Sequence, residues 1–319
     1  MKAPVDAIFP PVEAGQVPYW RLVLRGCSQL CFQTNELTGL FLLAAVLVAS
    51  PIAAAYMLVA AIIAPGGRML LGQKGRVLET GLPGLNPCLI ALSLPAFFHT
   101  AWTDVTMWVV LVVAVVCTIV LTRLAVAFLP FPVLVVPFLI TFWTLSALAP
   151  KLGVLHPIVF GPAEHTALQP VTAVLSGLGE AIFCASIWSG LLYLGGVFLS
   201  NWRHGLLAFC GAVIGTVVSY YYNDLADPAR INLGLYAFNG VLAAVSVFVF
   251  CRGKLTPAIL GAIVATMLIP ALSGFGVDTL SAPFVLTTWL LLALGWVGRH
   301  WFDLPPAPAS PPLPQPSRA

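Results

Sequence analysis

The chain is predicted to be an all-α polytopic membrane protein, with ten transmembrane helices and two half-membrane pore helices in an inverted five-span repeat. Three observations lead there. Apolar residues make up 60 % of the 319 and charged residues only 8 %, whereas soluble domains carry about 25 % charged residues. Second, short motifs are written twice. Gln29-Leu30-Cys31-Phe32 answers to Glu180-Ala181-Ile182-Phe183, and Thr38-Gly39-Leu40 to Ser189-Gly190-Leu191, both at an offset of 151 (29 to 180). Gly81 to Asn86 returns as Gly234 to Asn239, and Pro137-Phe138 with Thr141 and Trp143 returns as Pro283-Phe284 with Thr287 and Trp289. Third, the basic residues sort to one face once ten spans are threaded. Two such halves commonly pack about a pseudo-symmetry axis and build a solute pathway between them, so transport leads.

Apolar runs mark the spans at about 38–50, 51–66, 85–99, 104–129 and 131–149, and again at about 186–200, 205–221, 233–251, 255–272 and 282–298. Runs 85–99 and 237–251 are short at matching places in the two halves, which points to the binding region. Ahead of each half's first span lies a shorter apolar piece, near 20–35 and 171–185, carrying the Gln29 and Glu180 motifs. These pieces read as half-membrane helices entering a cavity, because a chain that ends at membrane depth survives only where protein or water satisfies it. The resulting segments are 1–19 (N-terminal, cytoplasmic), 20–150 (first repeat), 151–170 (external linker), 171–300 (second repeat) and 301–319 (disordered Pro-rich tail).

Five spans per half is an odd number, so the second copy enters from the opposite side. With a cytoplasmic N-terminus, Lys2, Arg21, Arg25, Arg68, Lys74, Arg76, Arg123, Arg203, Arg252, Lys254, Arg299 and Arg318 fall inside, and only Lys151 and Arg230 outside. That asymmetry obeys the positive-inside rule. It predicts a multi-pass protein of the cell membrane with both termini cytoplasmic. The N-terminal stretch lacks the shape of a signal peptide.

Glu180 stands out chemically. An ionisable residue at membrane depth costs several kcal/mol and marks a pathway or an ion pair. The alternative is a carboxylate at a helix N-terminus, held by free backbone N–H groups. The symmetry-related residue is Gln29, a second acceptor, which favours one acceptor at each end of a pore. Phe32 and Phe183 follow three residues later and are expected on the same helical face. Acceptor and aromatic faces together suit a flat, uncharged molecule that donates hydrogen bonds at its edge.

These residues carry a family resemblance. The duplicated Gln/Glu-x-x-Phe helix, the segment from Leu235 to Leu242 and the run from Pro283 to Trp289 resemble the urea transporter family, over roughly residues 20–300. The resemblance implies a passive, channel-like pathway for urea through each subunit of a homotrimer. It implies one urea site at Gln29, Leu30 and Phe32 and another at Glu180, Ala181 and Phe183, with Phe238 as a slot wall and Leu89 and Leu242 as apolar lining. Unpaired carbonyls of each pore helix would accept urea N–H bonds. The sequence departs from the pattern in its first half. Leu85 stands where a slot Phe is expected, Pro87 replaces the Gly seen at Gly240, and the central Thr pair reads Val135 and Ser281. The solute is therefore urea or a closely related small amide.

Other classes fit less well. A proton-coupled transporter using Glu180 is the nearest rival, but no second buried acid, His or Lys is expected within the spans, and Asp224, Asp227 and Asp278 fall in external loops. An intramembrane enzyme would need a Ser-His or Asp-Asp pair. A cation channel would need acidic rings or pore histidines. Seven scattered cysteines and five histidines show no metal spacing. No cofactor and no nucleic-acid partner is expected; the partners are the solute and the lipid bilayer.

Overall fold

The computed structural model describes residues 8–10, 12–13, 15–159, 166–222, 227–276 and 278–301. Lys2, Arg318, Asp224 and the Pro-rich stretch 305–319 lie outside the described residues. Twelve helices of ten residues or more run through the rest. In the first half they are α1 (Tyr19–Ser28), α2 (Glu36–Ala49), α3 (Pro51–Leu70), α4 (Leu85–Phe97), α5 (Val105–Phe128) and α6 (Val136–Leu152). In the second they are α7 (Pro170–Glu180), α8 (Ile187–Ser200), α9 (Trp202–Tyr222), α10 (Ala237–Phe250), α11 (Leu255–Ser273) and α12 (Ala282–Trp301).

The helices begin where the sequence offers caps. Asn35 Oδ1 accepts from Thr38 N–H at 3.0 Å to start α2, and Ser186 Oγ accepts from Ser189 N–H at 3.1 Å to start α8. Ser50 Oγ takes Ala53 N–H at 3.3 Å for α3, and Asn201 Oδ1 takes Arg203 N–H at 3.0 Å for α9. Each cap satisfies one orphan donor of a first turn and is worth about 1 kcal/mol. Each also has its counterpart one repeat later.

Among the described residues four helices are long and apolar enough to cross a bilayer unaided: Pro51–Leu70, Val105–Phe128, Trp202–Tyr222 and Leu255–Ser273. Tyr19–Cys31 and Glu36–Ala49 add a fifth candidate only if counted as one span, and they are bent by 69°. The helices α2, α4, α8 and α10, with 13 or 14 residues, rise about 20 Å at 1.5 Å per residue, short of the ~30 Å hydrocarbon core. Length alone thus supports four or five spans. The outward face of α5 presents Val109, Val113, Val116 and Val120, an apolar stripe suited to lipid.

The two halves meet along α2 and α8. Thr38 Oγ1 donates to Gly196 O and Ser189 Oγ to Ala45 O, each at 2.8 Å. Residue 38 faces 196 while 45 faces 189, so the two helices run antiparallel. The bonds are also exchanged: the Thr-Gly motif of one half and the Ser-Gly motif of the other do the same job. Two more bonds cross between the halves. Trp143 Nε1 donates to Asp278 O at 2.8 Å, and Trp289 Nε1 to Pro132 O at 2.9 Å. Backbone conformation repeats as well. Phe32 and Phe183 both have φ 58°, Leu134 and Leu280 have 48° and 45°, and Gly81 and Gly234 have 78° and 76°.

Candidate functional site: an acceptor and aromatic cavity

The helix α7 ends at Glu180, and the chain turns over 181–183 into Phe183. Its counterpart α1 ends at Ser28, followed by a 3-10 turn over Gln29–Cys31 and then Phe32. The closing bonds match. Phe32 N–H donates to Gln29 O and Phe183 N–H to Glu180 O, both at 2.9 Å; Gln33 N–H reaches Ser28 O at 3.2 Å and Cys184 N–H reaches Gly179 O at 3.0 Å. A bulky residue at positive φ is rare and costs about 1–3 kcal/mol, and such strain clusters at functional sites. Here it occurs twice, at equivalent places.

One expectation needs correction, and one alternative drops out. Phe32 and Phe183 do not continue the helical face of Gln29 and Glu180, because the helices have already stopped and the left-handed residue swings each ring aside. Glu180 is the last residue of its helix rather than one near an N-terminus, so free N–H groups do not hold it. A helix C-terminus carries a partial negative charge, even though the turn here takes up Gly179 O and Glu180 O. Adding a carboxylate there makes a site that favours N–H donors and disfavours anions.

Glu180, Phe183 and Phe238 open on one cavity of about 760 Å³, shared with Phe97, Trp143, Arg230 and Asp278. Glu180 lines this cavity, and among the described residues no hydrogen bond or ion pair is found at its carboxyl group. Phe183 is braced edge-on by Phe97 at 6.1 Å and Phe138 at 6.0 Å. Arg230 and Asp278, both expected on the outer side, share this cavity.

Gln29 is placed differently. It is 6 % exposed, and its amide nitrogen donates to Thr34 Oγ1 at 3.1 Å and to Thr80 O at 2.7 Å. That leaves Oε1 as the acceptor. A carboxylate could not donate to Thr80 O, which explains an amide at this position. Phe32 packs edge-on against Phe284 of the other half at 6.2 Å, as Phe183 packs on Phe138. Leu30, Leu85, Leu89, Val135, Ala181, Leu242 and Ser281 are all buried. None of these seven, nor Gln29 or Phe32, lines the large cavity.

A buried acid lies just ahead of the first expected span. Glu36, the first residue of α2, is 4 % exposed and pairs with Arg21 Nε at 2.9 Å and Arg25 Nε at 2.8 Å. Arg25 also donates to Glu79 O at 2.7 Å. Two guanidinium groups match this carboxylate, which makes it a structural anchor. Nearby, Gln33 Nε2 lies 2.9 Å from His204 Nδ1. The positions equivalent to Arg25 and Glu36 are Ser176 and Ile187, so this ionic cluster belongs to one half only.

Sequence reasoning missed Phe97, Trp143 and the two asparagines of the repeated motif. Asn86 Nδ2 donates to Leu134 O at 3.0 Å while its Oδ1 accepts from Phe138 N–H at 2.9 Å. Asn239 does the same with Leu280 O at 3.0 Å and Phe284 N–H at 3.2 Å. Their recurrence in both motifs was the available signal.

The chain is similar to known proteins along most of its length. The model of the urea transporter family matches residues 20–295. Urea transporter 1 of Ovis aries is 26 % identical over 310 residues, covering 89 % of this chain and 79 % of its own. Urea transporter 1 of Rattus norvegicus is 26 % identical over 241 residues, covering 70 % of this chain and 62 % of its own, and that of Mus musculus is 25 % identical with the same coverage. The match thus spans less than two thirds of the rat and mouse relatives. A family model that fits the chain from before the first acceptor turn to within the last long helix leaves one conclusion: the chain belongs to the urea transporter family.

Proposed function

We propose that the protein conducts urea, or a closely related small amide, passively across the cell membrane through a conduit between its two halves. The observation that carries this reading is the pair of acceptor-plus-Phe turns closing α1 and α7, set in a chain of the urea transporter family. The solute enters at Glu180, where carboxylate oxygens and helix-end carbonyls accept its N–H groups and Phe183 and Phe238 confine its faces. It passes Val135 and Ser281 at the centre, with Leu89 and Leu242 as apolar lining. It leaves beside Gln29 Oε1, with Leu30, Phe32 and Leu85 around it. Exchange of hydrogen bonds along this path keeps binding firm enough to enter and weak enough to leave. Membership of a transporter family excludes the enzyme reading.

The architecture that supports this is ten spans in an inverted five-span repeat, both termini cytoplasmic, with α1 and α7 as half-membrane helices. The matched caps, cross-half bonds and positive-φ pairs favour it. Homotrimeric assembly rests on the family resemblance. The topology has a direct test. Single cysteines at Lys74 and Lys151, in a background without exposed native thiols, are expected to label from outside intact cells only at 151. Outside labelling at 74 and not at 151 would sink the inverted arrangement.

Solute choice follows from two of the departures in the first half, Val135 and Leu85. Val135 supplies no hydroxyl where the solute must shed water, and a missing hydrogen bond costs about 1 kcal/mol or more. Val135→Thr should therefore raise urea flux about fivefold, that energy expressed as a rate. Leu85→Phe should narrow the inner slot and lower acetamide flux relative to urea. Stopped-flow swelling of proteoliposomes in urea, formamide, acetamide and glycerol reads both. Urea slower than glycerol in the wild type would contradict the proposed substrate class.

A further inference from the structure

We propose that Asn86, Asn239, Trp143 and Trp289 are positioning residues that set the geometry of the central constriction. This rests on the reading that Val135 and Ser281 face the conduit. Each is preceded by a leucine in the left-handed region, Leu134 at φ 48° and Leu280 at 45°. A side chain with a branched body adopts that conformation only when its surroundings over-determine it. The surroundings here are three hydrogen bonds per loop, two from an asparagine at one end and one from a tryptophan at the other.

Asn239 spends both ends of its amide on one turn. It donates to Leu280 O at 3.0 Å and accepts from Phe284 N–H at 3.2 Å, an N–H in the first turn of α12 that the helix itself cannot satisfy. Asn86 does the same on Leu134 O and Phe138 N–H for α6. The two asparagines are 0 % and 3 % exposed, so water cannot replace a lost bond.

The other end of each loop is held from across the interface. Trp143 of the first half donates to Asp278 O, three residues before Ser281, and Trp289 of the second half donates to Pro132 O, three residues before Val135. Each constriction loop is thus pinned by an asparagine of its own half and a tryptophan of the other. The frame ties the position of Ser281 Oγ and Val135 to the register between halves.

The asymmetry of the constriction makes this testable. Both asparagines make the same bonds, so a purely structural role predicts equal effects from the same substitution. A positioning role predicts unequal ones, because only Ser281 has a hydroxyl to misplace. Asn→Asp keeps the acceptor for the helix N–H and removes the donor to the leucine carbonyl. In proteoliposomes Asn239→Asp and Trp143→Phe are expected to lower urea flux about tenfold, and Asn86→Asp and Trp289→Phe less than about twofold, given the steep dependence of rate on sub-ångström placement. On a Val135→Thr background, Asn86→Asp should become as damaging as Asn239→Asp. Unfolding temperatures, measured in parallel, should fall alike for both asparagines.

Equal flux losses at both sites in both backgrounds, tracking the unfolding temperature, would overturn the proposal. Ser281→Ala separates the two layers. If it lowers urea flux while Asn239→Asp leaves flux intact, the frame alone is wrong. If Ser281→Ala is silent in folded protein, the placement of the constriction is wrong and the frame falls with it.

Discussion

Alanine at Gly39 or Gly190 is expected to leave little folded protein in the membrane. A Cβ on Gly39 would lie 2.0 Å from Leu24 O, and one on Gly190 would lie 1.8 Å from Leu175 O. In both cases the obstacle is backbone, which cannot rotate away as a side chain tip can. The contacts are equivalent: α2 crosses α1 at Gly39 as α8 crosses α7 at Gly190. Overpacking typically costs about 1–3 kcal/mol, and more where the neighbour cannot yield, so about 3 kcal/mol or more is expected for each. The damage would spread, since α2 and α8 also carry the Thr38 and Ser189 bonds between the halves. Gly274→Ala is the control, because its Cβ would meet nothing nearer than Ala271 O at 3.5 Å. Thermal unfolding in detergent reads the series. A wild-type unfolding temperature for Gly190→Ala would mean that α7 and α8 do not cross as described.

Glu180→Gln is expected to lower urea flux on the order of tenfold while the protein stays folded. Glutamine puts an NH2 donor where the carboxyl group has an acceptor oxygen, and a loss of about 1.4 kcal/mol in solute binding at the barrier is tenfold in rate. Glutamine keeps the size and one oxygen, and among the described residues no donor depends on the carboxylate. Gln29→Glu should behave in the opposite way. It strips the donors to Thr34 and Thr80 O and sets a charge against a carbonyl, so the loss should appear first in stability. Equal flux and equal stability for Glu180→Gln and wild type would remove Glu180 from the pathway.

Several local features could be read from the sequence because short motifs recur in it. The offsets linking Gln29 to Glu180 and Asn86 to Asn239 anticipated which turns would share a backbone conformation. The caps Asn35, Ser50, Ser186 and Asn201 lie within a few residues of the expected span starts, since capping is local chemistry. What escaped was non-local. Nothing in a run such as Leu30-Cys31-Phe32 signals a left-handed phenylalanine, which tertiary packing imposes against local preference. Glu36 was overlooked as a buried acid because its partners Arg21 and Arg25 sit on another helix, and only the 69° bend brings them together. Phe97, Trp143, Arg230 and Asp278 come from four separate segments, so their convergence on one cavity is a product of topology. Asn86 and Asn239 were visible as a repeated letter, but their role depends on carbonyls about 40 to 50 residues away.

The central claim is passive conduction, and its most direct test is urea flux in proteoliposomes of the full chain with the proton gradient under control. With a urea gradient alone and equal pH on both sides, flux should rise linearly with the gradient and stay unchanged when a protonophore is added. Flux that appears only under an imposed proton gradient and vanishes when it is dissipated would contradict the account and make Glu180 a proton carrier.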